Sequence, residues 1–229
     1  MEPSDAFVAA LRERHARLLE RLREVAARHG HDPMRLRVVG VTKTHPVDVV
    51  RAAVAAGIER LGENRVQEAE PKVAAVPDAE WHLVGRLQSN KVRRAVRAFG
   101  VIHSVDSTEL LERIDRIADE EGRAPRVLLE VNVSGEATKA GLAPQEVAGV
   151  RSPRVAHLVG LMTIAPFGAS HDEARSAFRR LRELRDELAG RIGQELPELS
   201  MGMSADAEAA AAEGATLVRI GTALFGPRA

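Results

Sequence analysis

The 229-residue chain contains no cysteine and no tyrosine, a single tryptophan and five phenylalanines. Without cysteine there is no disulfide, no thiolate metal ligand and no thiol nucleophile. So few rings leave little on which nucleobases could stack. An excess of one charge is also missing: 33 basic side chains balance 33 acidic ones, whereas a dedicated nucleic-acid binder carries a basic surplus. No stretch approaches the roughly 18 uninterrupted apolar residues of a membrane span. The opening Met1-Glu-Pro-Ser-Asp5 has no basic segment leading into an apolar run. These absences predict a cytoplasmic protein without nucleic-acid or membrane partners. At 45% hydrophobic and 29% charged residues, the composition is that of a folded chain with a sizeable core.

What is present is a repeating alternation of elements. Ser4 to His29 reads as an amphipathic helix, with Phe7, Leu11, Leu18, Leu22 and Val25 on one face, a cap at Ser4 or Asp5, and Gly30 and Pro33 ending it. Short apolar runs follow at Leu36–Val41, Arg60–Gly62, Trp81–Val84, Val101–His103, Arg126–Val131, Val155–Leu161, Glu198–Ser200 and Thr216–Ile220. Helical stretches separate them: Val47–Ala56, Arg65–Ala75, Ser89–Ala98, Thr108–Glu121, Pro144–Val150, Asp172–Leu188 and Ala205–Glu213. Strands joined through helices pair in parallel by right-handed crossovers. Consecutive apolar residues mark strands buried on both faces. Eight such strands predict an α/β protein that is a single (β/α)8 TIM barrel over 1–229, with residues 1–30 as an extra N-terminal helix packed on it. An open doubly wound sheet is the alternative, and nothing in it requires eight strands.

Only four side chains can act as an amine nucleophile, Lys43, Lys72, Lys91 and Lys139, because arginine does not lose its proton. Lys43 follows the first strand and so falls at the C-terminal mouth of a barrel, where active sites form. A desolvated amine there can form a Schiff base with an aldehyde; a lysine that ends a strand and pairs with a carboxylate is the competing reading. Lys139 lies in the longest polar loop, Asn132–Gly141, and reads as a solvated amine, second in line for any adduct.

The final quarter supplies an anion site. Ser200-Met-Gly-Met-Ser204 leads from the seventh strand to a helix beginning near Ala205, and Arg219-Ile-Gly-Thr222 ends the eighth. Barrel phosphate sites are built from these two loops, where free N–H groups and a helix N-terminus meet the anion. Ser204 offers a hydroxyl there or simply caps the helix. Gly221 and Thr222 offer amides and a second hydroxyl. Arg219 interrupts an apolar strand and by alternation faces the barrel interior, so its guanidinium needs an acceptor. The choices are a strand carboxylate such as Glu63 or Glu130, or a bound heterocycle. Phosphate site, Schiff-base lysine and inward arginine together describe a pocket for pyridoxal phosphate.

Several motifs carry a resemblance to a known family. Thr42-Lys43-Thr-His-Pro46, Gly62-Glu-Asn-Arg-Val-Gln-Glu68, Trp81-His-Leu-Val-Gly-Arg-Leu-Gln-Ser-Asn-Lys91, Gly160-Leu-Met-Thr163, Leu199-Ser-Met-Gly-Met-Ser-Ala-Asp206 and Val218-Arg-Ile-Gly-Thr-Ala-Leu-Phe-Gly226 resemble the YggS/PROSC family of pyridoxal phosphate homeostasis proteins over nearly the whole chain. The resemblance implies a fold-type III barrel like the N-terminal domain of alanine racemase, with Lys43 holding pyridoxal 5'-phosphate as a Schiff base. It further implies that Ser204, Gly221 and Thr222 bind the phosphate and that Arg219 faces the pyridine nitrogen. By the same resemblance Asn64, His82 and Met203 line the cofactor.

Two functions compete on that site. A racemase needs a second acid–base group on the opposite face of the substrate, which in alanine racemase is a tyrosine from an additional domain. This sequence has no tyrosine and no visible second domain, and His82 or His103 are the available substitutes. The expectation is therefore a non-catalytic carrier taking part in vitamin B6 homeostasis, buffering the cofactor or delivering it to apoenzymes, as a monomer or weak dimer. A racemase or decarboxylase of the same fold is the alternative. A cofactor-free Schiff-base aldolase leaves Arg219 and the paired loops without a task. The eight histidines show no metal spacing, and there is no Walker loop.

Overall fold

Ser4 starts the first helix: its hydroxyl accepts the Phe7 N–H, and α1 runs over Asp5–Arg28 with Leu11, Leu18, Leu22 and Val25 buried. The computed structural model describes residues 4–136 and 140–226, so Lys139 lies outside the described residues. After a 3-10 turn at Pro33–Arg35, strands and helices alternate. They are β1 Arg37–Val41, α2 Val47–Ala55, β2 Arg60–Glu63, α3 Val66–Ala75, β3 Glu80–Leu83, α4 Val92–Ala98, β4 Val101–Val105, α5 Thr108–Glu121, β5 Arg126–Glu130, α6 Pro144–Val147, β6 His157–Met162, α7 His171–Ile192, β7 Glu198–Ser200, α8 Ala207–Ala212, β8 Leu217–Ile220 and α9 Thr222–Phe225.

The strands form one closed barrel in sequence order, and all eight pairings are parallel. Closure sets β8 beside β1 with Val39 opposite Arg219 and Gly40 opposite Ile220. That register delivers the C-terminal ends of the first and last strands to one rim. The outward strand faces and the inward helix faces make one continuous apolar core. α5 shows how sequence builds the outer layer: Leu110, Leu111, Ile114, Ile117 and Ala118 turn inward, Ser107 caps the start, and Gly122 ends it in the left-handed conformation. α1 packs against α2, α8 and α9 across the β8–β1 closure.

The N-terminal end of the barrel is plugged by charge. Arg37 donates to both carboxylate oxygens of Glu198, at 2.6 and 2.7 Å, and Glu80 receives Arg60 at 3.0 Å and also Arg126. These residues begin β1, β7, β3, β2 and β5. Ion pairs thus close part of the floor, at a place where the arginines remain partly solvated.

Several boundaries differ from the periodicity: α4 begins at Val92 rather than Ser89, after a 3-10 turn, and α7 runs on to Ile192 rather than ending at Leu188. α6 is a single turn ending at Val147 rather than Val150, because Gly149 and Pro153 give the chain no reason to continue as helix. α8 begins at Ala207, not Ala205, after a turn. The short α9, directly after Gly221, was not expected; four residues are too few to show a helical period.

Candidate functional site at the C-terminal mouth

Lys43, Asn64, Met203, Ser204, Arg219, Gly221 and Thr222 line one cavity of about 360 Å³ at the strand ends. Val41, Val84, Ile164 and Ala205 supply its apolar wall. The volume falls in the range of small-molecule sites, about 300–1,000 Å³. The chain reaches this arrangement from three directions: Lys43 just past β1, Asn64 just past β2, and the two anion-type loops past β7 and β8. Asn64 is pressed into place by the loop after β3, since a Cβ on Gly85 would stand 2.4 Å from the Asn64 carbonyl oxygen.

The lysine is held by its neighbours' backbone. Lys72, on α3, donates to the Thr42 carbonyl at 2.8 Å and to Glu63 Oε1 at 2.7 Å. Thr42 Oγ1 donates to the same carboxylate oxygen at 2.6 Å. On the other side of Lys43, the Thr44 N–H donates to Glu68. Thr44 adopts φ +67°, a left-handed conformation costly for a residue with a Cβ, and the Glu68 carboxylate stabilises it. Both peptides flanking Lys43 are thereby fixed from α3. Burial pushes the Glu63 carboxyl up, against the hydrogen bonds from Lys72 and Thr42. The competing assignment of Glu63 as partner of Arg219 is thereby corrected: Glu63 faces the helix layer and belongs to Lys72. The sequence signal for this clamp was modest, an i,i+4 Glu68–Lys72 pair and one of only four lysines.

Arg219 sits on β8 beneath the cavity and is 5% exposed. Its Nη1 donates to Ser200 Oγ at 2.6 Å and its Nη2 to the Thr163 carbonyl at 2.9 Å. Both acceptors are neutral. Glu130 acts on it only at longer range, so the ion-pair alternative gives way to a guanidinium anchored by neutral oxygens. Burial lowers its pKa to about 10, while Asp206 and Glu130 act to raise it; the side chain remains a cation at neutral pH.

The β7–α8 loop turns at Gly202, φ +88°, where a Cβ would also lie 2.5 Å from the Ala210 Cβ. Only glycine fits both the conformation and the gap. Of the two readings of Ser204, the helix cap is not realised: α8 starts three residues later, Asp206 stands at the N-cap, and its carboxylate accepts the Met203 N–H at 2.6 Å. Ser204 is exposed instead and lines the cavity. Opposite it, α9 begins at Thr222 immediately after Gly221, and the first N–H groups of a helix have no partners within it. His82 does not line the cavity. It lies deeper in the barrel, 1% exposed, in contact with His103, because the alternation along β3 gives the mouth position to Val84.

A closed parallel (β/α)8 barrel with a lysine after its first strand, an arginine on its last and two open loops between them defines the class of the alanine-racemase-type barrels. The family described as "Alanine racemase, N-terminal domain" matches residues 14–229. The chain belongs to this family, together with the pyridoxal phosphate homeostasis proteins. It is 44% identical to the pyridoxal phosphate homeostasis protein of Aquifex aeolicus, over 94% of this chain and 97% of that one. It is 42% identical to that of Pseudomonas aeruginosa, over 96% and 97%. Among solved structures, PipY of Synechococcus elongatus with pyridoxal phosphate bound superposes with a TM-score of 0.81 at 42% identity, covering 94% of this chain and all of PipY. An alanine racemase of Clostridium difficile shares the fold, with a TM-score of 0.70 at 16% identity, over 90% of this chain and 58% of the racemase.

Proposed function

We propose that this protein binds pyridoxal 5'-phosphate at the barrel mouth, holds it reversibly on Lys43, and serves as a non-catalytic carrier in vitamin B6 homeostasis. The observation that carries the reading is the convergence of Lys43, Arg219, Ser204, Gly221 and Thr222 on one cavity. The residues fit the group: a cation stands below, an amine at one side, and hydroxyl and amide donors open at the rim. Ser204, Gly221 and Thr222 would receive the phosphate, Arg219 would donate to the ring nitrogen, and Asn64 and Met203 would flank the ring. When bound, pyridoxal phosphate supplies an aldehyde that condenses with an amine with loss of water, a link that hydrolysis reverses.

The carrier reading over the enzyme rests on what else faces the cavity. Apart from Lys43 and Arg219, its described lining contains no titratable side chain, so the second acid–base group of a racemase has no candidate there. His82 and His103 are both fully buried below and held neutral. Among the described residues no helix is long and apolar enough to cross a membrane. We take residues 1–229 as one functional unit, a monomer or weak dimer working in the cytoplasm, with apoenzymes that require the cofactor as recipients.

The test is reconstitution with pyridoxal phosphate, borohydride reduction and peptide mapping. The expected outcome is a pyridoxyl adduct on Lys43 that disappears in Lys43→Ala. Absence of uptake, or an adduct confined to another lysine, overturns the reading. Incubation of the loaded protein with L-alanine in deuterated water and chiral analysis separates carrier from racemase: sustained exchange at Cα would establish an enzyme.

A further inference from the structure

Below the cavity a file of polar side chains runs through the barrel interior, from β8 through β7 and β4 to β3. Arg219 Nη1 contacts Ser200 Oγ at 2.6 Å. Ser200 Oγ lies 2.8 Å from His103 Nδ1, and His103 Nε2 lies 2.8 Å from His82 Nδ1. His82 Nε2 then faces Glu80 Oε2 at 3.4 Å, outside hydrogen-bond geometry. The first four residues are at most 5% exposed. Apart from Arg219, the proposed cofactor site uses none of them.

Counting hydrogens leaves two arrangements. Arginine only donates, so Ser200 Oγ accepts from Arg219 and has one hydrogen of its own to place. In the first arrangement Ser200 donates to His103 Nδ1, His103 Nε2–H donates to His82 Nδ1, and His82 Nε2–H points at the Glu80 carboxylate. Every group then donates away from the cavity. In the second, His103 Nδ1–H and Arg219 both donate into Ser200, and His82 donates back to His103. The His82 Nε2 lone pair is then buried without a donor, and the Ser200 oxygen spends both lone pairs on Arg219 and His103 while its own hydrogen is left without an acceptor in the chain. Ser200 therefore decides the direction, since only the first arrangement gives its buried hydrogen an acceptor; Glu80, partly exposed and already paired with Arg60 and Arg126, weighs less.

We propose that Ser200, His103 and His82 are positioning residues for Arg219, forming a one-way hydrogen-bond chain with both imidazoles in the Nε2–H tautomer. The chain holds the guanidinium at Nη1 while the Thr163 carbonyl holds it at Nη2, and the N–H groups that neither engages are left for a ligand in the cavity; only the nature of that ligand rests on the cofactor reading above. The chain stays neutral. Burial holds His82 at about 3, with Arg60 and Arg37 acting in the same direction and Glu198 against them. Burial, with His82 and Arg219 beside it, holds His103 well below its ordinary value. A neutral support cannot neutralise Arg219, so a heterocyclic nitrogen that meets the guanidinium accepts a proton bond and keeps no proton of its own.

The decisive experiment uses the ligand-free full-length protein labelled with 15N in histidine and arginine. Expected are Nε2–H tautomers for both His82 and His103, without titration between about pH 8 and pH 5. The Arg219 guanidinium should show resolved Nη resonances, averaged by rotation in Ser200→Ala and in His103→Leu and resolved again in Ser200→Thr. An Nδ1–H tautomer on either ring, a titration near 6.5, or an Arg219 spectrum unchanged in folded Ser200→Ala overturns the proposal. In the second arm, Ser200→Ala should weaken pyridoxal phosphate retention by about tenfold or more, from loss of one charged hydrogen bond, and move the visible band, with Ser200→Thr restoring both. Failure of the wild-type protein to take up cofactor overturns the carrier reading alone, because the ligand-free spectra still decide the chain.

Discussion

Lys72 Nζ lies 2.8 Å from the carbonyl oxygen of Thr42, the residue that precedes Lys43. One buried lysine thus holds the backbone from which the other projects. Lys72 is also the counter-ion of Glu63, whose side chain is fully buried. Removing one partner of such a pair strands a buried charge and costs about 3–5 kcal/mol, whereas replacing both with apolar groups is often neutral. Lys72→Met is expected to lose stability on that scale in urea denaturation, and Lys72→Met with Glu63→Leu to recover most of it. A cycle with no coupling between the two sites would show that the pair acts independently.

The flanking contact gives a second prediction. Glu68 holds the Thr44 N–H, and Thr44 has a left-handed backbone. Thr44→Gly removes the strain and should leave or slightly raise stability, by about 0.5–1 kcal/mol. Glu68→Ala is expected to slow recapture of pyridoxal phosphate by Lys43 while changing equilibrium unfolding little, because Glu68 is partly exposed. Stopped-flow absorbance on adding cofactor measures it, and unchanged rates would remove Glu68 from the positioning of Lys43.

Much of this was legible in the chain itself. Eight apolar runs separated by helical stretches give the barrel, and Lys43, Arg219, Ser204, Gly221 and Thr222 fall at or just past strand ends that closure must bring to one rim. Residues whose roles depend on direction rather than position were harder to read. His82 looks like a site residue from its motif, yet whether a strand residue faces the mouth or the interior below turns on the stagger of the barrel, which no local pattern states. In the sequence Glu63 and Glu130 are interchangeable partners for Arg219; alternation along β2 sends Glu63 outward to Lys72. α9 escaped because one helical turn carries no periodicity.

The two buried histidines predict an acid-labile fold. Both have folded-state pKa values below the ordinary 6.5, that of His82 at about 3. The unfolded chain therefore binds more protons between those values. The stability contributed by neutral burial is complete above pH 6.5 and is lost as pH falls toward 3, at about 1.4 kcal/mol per pH unit for each proton taken up. Urea midpoints measured from pH 7.5 to pH 4.5 should fall more steeply in wild type than in His82→Phe. Parallel slopes would mean that His82 does not titrate on unfolding.

Gly202 is expected to tolerate no side chain. Alanine there meets a positive φ and the Ala210 methyl at 2.5 Å together. Left-handed strain and overpacking add to roughly 2–4 kcal/mol. Relief requires the β7–α8 loop to move, and that loop carries Met203 and Ser204 to the cavity. Gly202→Ala should therefore lose cofactor retention as well as thermal stability, whereas Gly190→Ala, at an α7 position where an added Cβ would meet nothing, should keep both.

Charge at the rim separates phosphate binding from every other role of the loops. Thr222 is exposed, lines the cavity and opens α9. Glutamate at a helix start is favourable for folding through the dipole, so Thr222→Glu should unfold at the wild-type denaturant concentration. Toward a phosphate it is a like charge placed where amide donors should meet it, and a repulsion of about 1.4 kcal/mol already reduces binding tenfold. The expected result is loss of pyridoxal phosphate retention by about tenfold or more, partly restored at high salt as screening shortens the interaction, with pyridoxal, which lacks the phosphate, bound equally by both proteins. Equal loss for pyridoxal and pyridoxal phosphate would place the phosphate elsewhere and leave Thr222 as a structural residue of the rim.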